Sequence, residues 1–324
     1  MKKILWLGAV LFFLVVIGYF FTLQSDWQPK AAGVPKPNLA AVATMKSDSA
    51  LSTIAAKPVD LVVKAAAQRL RKGDRLAQLH AELVAGKNQS PSSQYIAAKI
   101  VQECLLTSHI SEATYVPPNA NVSLMSIEAL RKLKKSCEGL DITRSALKQV
   151  TDQKKLALEN GDPAAMAEQT FLLPAQGLKA DAFSVALSLL KKFPDDPAVL
   201  ENAIGMLPAM GIPIGANDAK LKNLTYEQAS AALFLSICDM TSSCSLKDSV
   251  FLQNECVLGG RCSPTSLDYV AENMLPSGEM SLIPAATARM KELIAQKRWD
   301  LIGYSDANRP SQSKPSVLSP MPKR

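Results

Sequence analysis

Hydrophobic positions along this chain follow three patterns. The first is an unbroken run: residues 4–23, "ILWLGAVLFFLVVIGYFFTL", carry no charge and follow Lys2 and Lys3. At about 1.5 Å of rise per residue a helix of that length spans roughly 30 Å, the hydrocarbon thickness of a bilayer. The second pattern covers residues 24–57 and 305–324, where Pro, Ala, Ser and Lys mix without an apolar period. Such composition predicts a flexible linker and a disordered tail. The third covers residues 58–304, where apolar residues recur at helical spacing with no sustained alternation. This predicts an all-α body of short helical hairpins and no sheet.

The punctuation of that body places about eleven helices. "VDLVVKAAAQRLRKGDRLAQLHAELVAG" divides near Gly73, with Asp74 placed to cap the second helix and Gly86 to stop it. Later helices are bounded by Ser, Asp, Pro or Gly, and "SLIPAATARMKELIAQKRWDLIGY" reads as one closing helix. "GMLPAMGIPIGAN" reads as a Pro-interrupted turn, a hinge between helical pairs or the lip of a groove.

One internal echo stands out. "GDPAAMAEQTFLLP" and "DDPAVLENAIGMLP" align at a shift of 34 residues, Asp162–Pro163 on Asp196–Pro197 and Pro174 on Pro208, with the helical stretch "KADAFSVALSLLKKF" between them. Each Asp can cap a helix whose first residue is a Pro with no amide hydrogen to leave unsatisfied. The unit resembles a tetratricopeptide-like helix-turn-helix, whose period is also 34 residues. That resemblance covers about fifty residues and lacks the family's Trp, Gly and Tyr positions. It implies an irregular αα-solenoid, against two similarly capped helices in an ordinary helical domain.

Topology follows from charge. Lys2, Lys3 and the α-amino group flank the N-terminal side of the apolar run, so the positive-inside rule keeps the N-terminus cytoplasmic and exports the rest. A signal anchor over residues 1–23 is the leading reading. The competing one is a cleaved signal peptide, but its apolar core is usually shorter, and the first small residues here, Ala31 to Gly33, come late. Both readings put the body outside the cytoplasm. The net charge of +7 does not imply nucleic acid: Lys2 and Lys3, the linker and the tail carry all of the excess, leaving 58–304 formally neutral. Basic tethers beside anionic headgroups account for it.

An exported chain with an even number of cysteines is expected to pair them. Cys104 and Cys137 sit near the ends of two predicted helices, and a bridge between them would clip the intervening loop. Cys238, Cys244, Cys256 and Cys262 follow a C-x5-C-x11-C-x5-C spacing and can pair in three ways. Tying two consecutive helices and then their exit loop favours 238 with 256 and 244 with 262. Structural zinc prefers pairs two to four residues apart, and redox or haem attachment needs C-x-x-C, which does not occur; no metal and no cofactor are expected. The stretch from 230 to 304, with its paired C-x5-C cysteines, "GGRC" and closing "KRWDLIG", resembles the tail of uncharacterised proteobacterial envelope proteins. That resemblance implies an inner-membrane, single-pass protein with a periplasmic, disulfide-bonded body, and carries no activity.

Chemistry is sparse. His80 lies on a helix face and His109 closes a helix; no nucleophile elbow, H-E-x-x-H or phosphate-cradling loop is present. The function expected is therefore a non-enzymatic, membrane-anchored interaction or scaffold module, with an envelope protein or peptide as partner and no nucleic acid. The alternative is a cell-wall-acting enzyme working through carboxylates. Glu168, Glu201 and Glu279 are its candidates, the sequence pairs none of them, and each also reads as part of a solvated helix face.

Overall fold

Helical periodicity is realised throughout the computed structural model, which describes residues 61–85, 90–117, 123–142, 144–275 and 279–311. The 4–23 span and the 24–57 linker lie outside the described residues. All of the described residues belong to one unit, 56–324. Among them no helix is long and apolar enough to cross a membrane.

Among the described residues thirteen α-helices follow one another: α1 (Leu61–Lys72), α2 (Leu76–Ala85), α3 (Pro91–Ser108), α4 (Ser123–Ser136), α5 (Arg144–Glu159), α6 (Pro163–Phe171), α7 (Lys179–Lys192), α8 (Pro197–Gly205), α9 (Tyr226–Thr241), α10 (Val250–Gly259), α11 (Ser266–Tyr269), α12 (Ile283–Ala295) and α13 (Trp299–Ile302). No strand occurs among the described residues, only one isolated bridge between Ser245 and Thr265.

Two of the boundaries that differ from expectation lie at left-handed residues. Asp74 does not stand directly before the second helix: α2 starts at Leu76, and Arg75 (φ 48°) takes that place. The closing helix is in fact two. Lys297 (φ 56°) ends α12, and the Arg298 amide turns back to the Leu293 carbonyl at 2.9 Å before α13 begins. Its αL residue and back-bonded amide are the usual means of stopping a helix, here without glycine.

The 34-residue echo has matching local geometry. Asp162 accepts the Ala165 amide at 2.7 Å, Asp196 accepts the Ala198 and Val199 amides at 2.9 and 3.1 Å, and each helix opens on its Pro. Both helices run into a 3-10 turn, Pro174–Gln176 or Leu207–Met210, that ends on a left-handed glycine, Gly177 or Gly211. Small buried residues, Ala164, Ala165 and Ala167 on α6 and Ala203 on α8, allow the two helices to pack closely.

The first core joins α1 to α6 with α10, through Leu76, Leu79, Ile96, Ile100, Leu130, Leu133, Val250 and Val257. A second cluster at the C-terminal end joins Ala231, Leu235 and Cys238 of α9 to Val270, Leu275 and Ile283. The "GMLPAMGIPIGAN" segment is packed rather than free as a lip: Ile212 and Ile214 are buried, and the Gly215 amide bonds the Ile302 carbonyl at 2.6 Å. Beyond Tyr304 the first residues of the expected tail form a 3-10 turn, Asp306–Asn308, with the Arg309 guanidinium 5.6 Å from the centre of the Phe183 ring.

Candidate functional site

All six cysteines are bonded: Cys104 to Cys137, Cys238 to Cys244 and Cys256 to Cys262. The 238–256 and 244–262 pairing favoured from spacing is thus replaced by two local bridges. Their cause is a shared helix ending. Four residues after Cys238 stands Ser242 (φ 53°) and four after Cys256 stands Gly260 (φ 65°), each in the left-handed conformation that turns the chain back on the last helical turn. Two residues later comes the second cysteine, beside the first. Asp239 lies near the first bridge, its Oδ1 3.2 Å from Cys244 Sγ, and the Cys238, Asp239 and Cys244 donor atoms all lie within 4.8 Å of one another, the spacing of a metal-ligand group. Both sulfurs are consumed in the bond, and Asp239 Oδ2 accepts from Lys291 Nζ at 2.9 Å, so this is a braced helix end.

The carboxylates singled out from sequence do not converge. Glu201 takes Arg71 at 2.9 Å, and Glu279 accepts from the Gln228 amide at 3.2 Å. Glu168 departs from the solvated-face reading: its Oε2 accepts the Tyr95 hydroxyl at 2.6 Å and its Oε1 accepts from Lys154 Nζ at 2.8 Å.

Glu168 thereby belongs to a polar stripe centred on α3. Ser92, Tyr95, Lys99, Gln102, Glu103 and Leu106 fall on one face of that helix, while Ser93, Ile96, Ala97, Ile100, Val101, Cys104 and Thr107 are buried on the others. Three neighbouring helices hold the stripe. From α6 come Glu168 and the cap Asp162, whose Oδ2 accepts the Ser92 hydroxyl at 2.6 Å. From α5 comes Lys154, which also donates to Gln102 Oε1 at 2.8 Å, and from α10 Asn254, which donates to Glu103 Oε2 at 2.8 Å.

The electrostatics are uneven along the stripe. Burial pushes Glu168 upward, but Lys99, Lys154 and the hydrogen bonds from Lys154 and Tyr95 outweigh it and hold its carboxyl below the ordinary range. Glu103 goes the other way: burial raises it despite Lys99 and the Asn254 amide. Lys154 is lowered by burial and by Lys99, with Glu168 opposing. Burial also pushes Asp162 up to about 6, against its bonds from Ser92 and Ala165. Tyr95 is raised by burial and then by Glu168, so its phenol stays protonated.

Of these residues, sequence reasoning picked out only Glu168, for its helix position, and Asp162, as a cap. The available signal lay in α3 itself, whose middle, Tyr95 to Leu106, is apolar except at positions 95, 99, 102 and 103, a narrow polar seam in a largely buried helix. Their partners on α5, α6 and α10 are set by tertiary packing. His80 is half-buried on α2 and lowered by that burial, and His109 is the C-cap residue of α3; neither joins the stripe. No protein family, curated protein or solved structure matches the chain.

Proposed function

We propose that this chain is a non-enzymatic, membrane-anchored extracytoplasmic helical protein, a periplasmic interaction or scaffold module held to the inner membrane by residues 4–23. The observation that carries the reading is the α3 stripe. Side chains from four helices hydrogen-bond one another along a partly exposed seam, Ser92 with Asp162, Tyr95 and Lys154 with Glu168, and Asn254 with Glu103, giving a pre-positioned polar surface. Rigid, pre-positioned groups suit recognition, because little side-chain freedom is lost on binding. Full pairing of the cysteines supports an oxidising compartment, and the duplicated cap-and-turn geometry of α6 and α8 supports an irregular αα-solenoid.

Photo-crosslinking in living cells, followed by isolation of the tagged full chain from membranes, tests it. A stoichiometric envelope partner is expected, and recovery of the chain alone would overturn the reading. Alkylation without reductant is expected to label no cysteine.

One observation favours a second reading, a cell-wall-acting enzyme. Two carboxylates stand on neighbouring helices, Glu103 of α3 held by Asn254 and Glu168 of α6 held by Tyr95 and Lys154, and their surroundings push them in opposite directions, as for the acid and the carboxylate of glycoside hydrolases. The scaffold reading stands ahead because both oxygens of Glu168 already accept hydrogen bonds from the protein. Solubilisation of purified peptidoglycan by the wild type, lost in Glu103→Gln, would reverse that order.

A further inference from the structure

We propose that Lys99, Gln102 and Lys154 form a binding site for the carboxylate of an acidic segment of the protein partner, with an apolar residue of the same segment resting on Leu106. This rests on the interaction reading above and names the chemistry of its partner.

A count of donors and acceptors carries the argument. Lys154 spends two of its three hydrogens, on Glu168 Oε1 and Gln102 Oε1, each at 2.8 Å. Because Gln102 accepts through its oxygen, its NH2 group is the free end of the amide, and it donates to nothing among the described residues. Lys99 carries three more hydrogens and makes no ion pair or hydrogen bond there, yet it lies close enough to Glu103, Lys154 and Glu168 to perturb all three. Glu103 stands one turn further along the helix, but a Lys preceding a Glu by four residues is the weaker orientation for a helical pair, and no contact forms.

The middle of the stripe therefore offers two ammonium groups and one amide NH2 from two helices; of the two carboxylates beside them, Glu168 is bonded on both oxygens and Glu103 accepts from Asn254 and touches neither lysine. What is missing is an acceptor within reach of Lys99, the Gln102 amide NH2 and the third Lys154 hydrogen. A carboxylate fits, since it can take a hydrogen bond on each oxygen and would offset the repulsion between Lys99 and Lys154.

Leu106 gives the site direction. It lies on the same stripe, beyond Gln102, and is 41% exposed, in a helix whose other large apolar groups are mostly buried. Four to seven helical residues separate it from Gln102 and Lys99, a rise of roughly 6–10 Å. An extended segment covers that distance in about two or three residues. The segment expected thus carries Asp or Glu with a large apolar residue two or three positions away.

The test uses the full chain in detergent micelles and a fluorescein-labelled peptide, Gly-Ser-Glu-Glu-Ala-Leu-Gly, beside its Gln-Gln counterpart, with binding read by anisotropy. The Glu peptide is expected to bind at least about tenfold more tightly than the Gln peptide, and Lys99→Glu and Lys99→Gln to lose that preference with unchanged thermal melts. Equal affinity for the two peptides, a preference that survives in Lys99→Glu, or no binding of either would overturn the site. A photo-reactive residue at position 106 in living cells separates the two levels. If a partner is captured from other positions and Lys99→Glu leaves that capture unchanged, the carboxylate site fails and the interaction reading stands. If no position captures a partner, the interaction reading itself fails.

Discussion

Replacing Cys104 and Cys137 by Ala should destabilise the protein more than replacing Cys256 and Cys262, by an amount the chain separations set. The first bridge spans 33 positions and the second 6. In the loop-closure account, a cross-link removes entropy from the unfolded chain in proportion to the logarithm of the loop it closes; these separations give about 3.7 and about 2.2 kcal/mol. The difference is about 1.5 kcal/mol. Cys104, Cys256 and Cys262 are buried and Cys137 partly so, which means packing lost to Ala works against the expected order and the loop term must exceed it. The buried Ser126 hydroxyl, 3.1 Å from Cys262 Sγ, also reaches the Cys256 carbonyl at 3.3 Å and keeps a partner when the sulfur is removed. Urea unfolding at 25 °C without reductant, followed by far-UV circular dichroism, reads the difference. The m-value should rise more for the 104–137 deletion, whose unfolded chain gains more freedom to expand. If the 256–262 deletion costs as much as the 104–137 deletion or more, native-state strain or packing dominates, and the entropic argument is wrong for this protein.

Other outcomes are equally specific. Ser242→Gly should stabilise by about 1 kcal/mol, since an exposed Ser holds the left-handed position that Gly260 fills in the other staple, and a rise in Tm checks it. Gly73→Ala should cost more than about 1–2 kcal/mol, because φ is +65° and the new methyl would stand 2.7 Å from Val250 Cγ2; the same urea titration reads it. Asp162 is raised to about 6 in the fold, so between its unfolded value and 6 the native state binds more protons. Its contribution is present at low pH and lost as pH rises through 6, by at most about 3 kcal/mol. Asp162→Asn should flatten that part of the stability profile between pH 4 and 7, and an unchanged slope would refute the assignment. Tyr304→Phe removes the buried hydroxyl that donates to the Ala203 carbonyl and should cost about 1–3 kcal/mol in chemical denaturation.

Local signals carried the helices well. Asp162 and Asp196, each followed by Pro, marked the starts of α6 and α8, and Thr225 with Gln228 forms a capping box at the start of α9. What escaped was set by non-glycine residues at positive φ. Arg75, Ser242 and Lys297 all take the left-handed conformation, which the sequence advertises only where glycine stands, as at Gly73 and Gly260. Missing Lys297 merged α12 with α13. Missing Ser242 hid the likeness of the two helix ends, and with it the pairing of the cysteines. The polar stripe failed to show for a different reason. Lys154 and Asn254 are ordinary surface letters in their own helices, and their meaning comes from packing against α3 across 52 and 151 positions of chain.

The two short bridges raise a question that their small loop entropy does not answer. A bridge closing six positions contributes least of any to the unfolded state, yet the fold uses two of them, both at helix ends. Their value lies in what leaves those ends. The Leu246 amide bonds the Pro264 carbonyl at 2.8 Å, and the Ser266 amide bonds the Cys244 carbonyl at 2.8 Å, so the two exit segments pair with each other directly after their staples. Ser266 opens α11, whose Tyr269 packs on Phe234 and Phe251 with ring centres 5.9 and 5.5 Å apart, and the chain then continues into α12 against α9. Each staple holds a turn that decides where the next helix starts. A loss of either bridge should therefore show first as local opening around residues 244–266, with faster amide exchange there than in α3, before it shows as global unfolding.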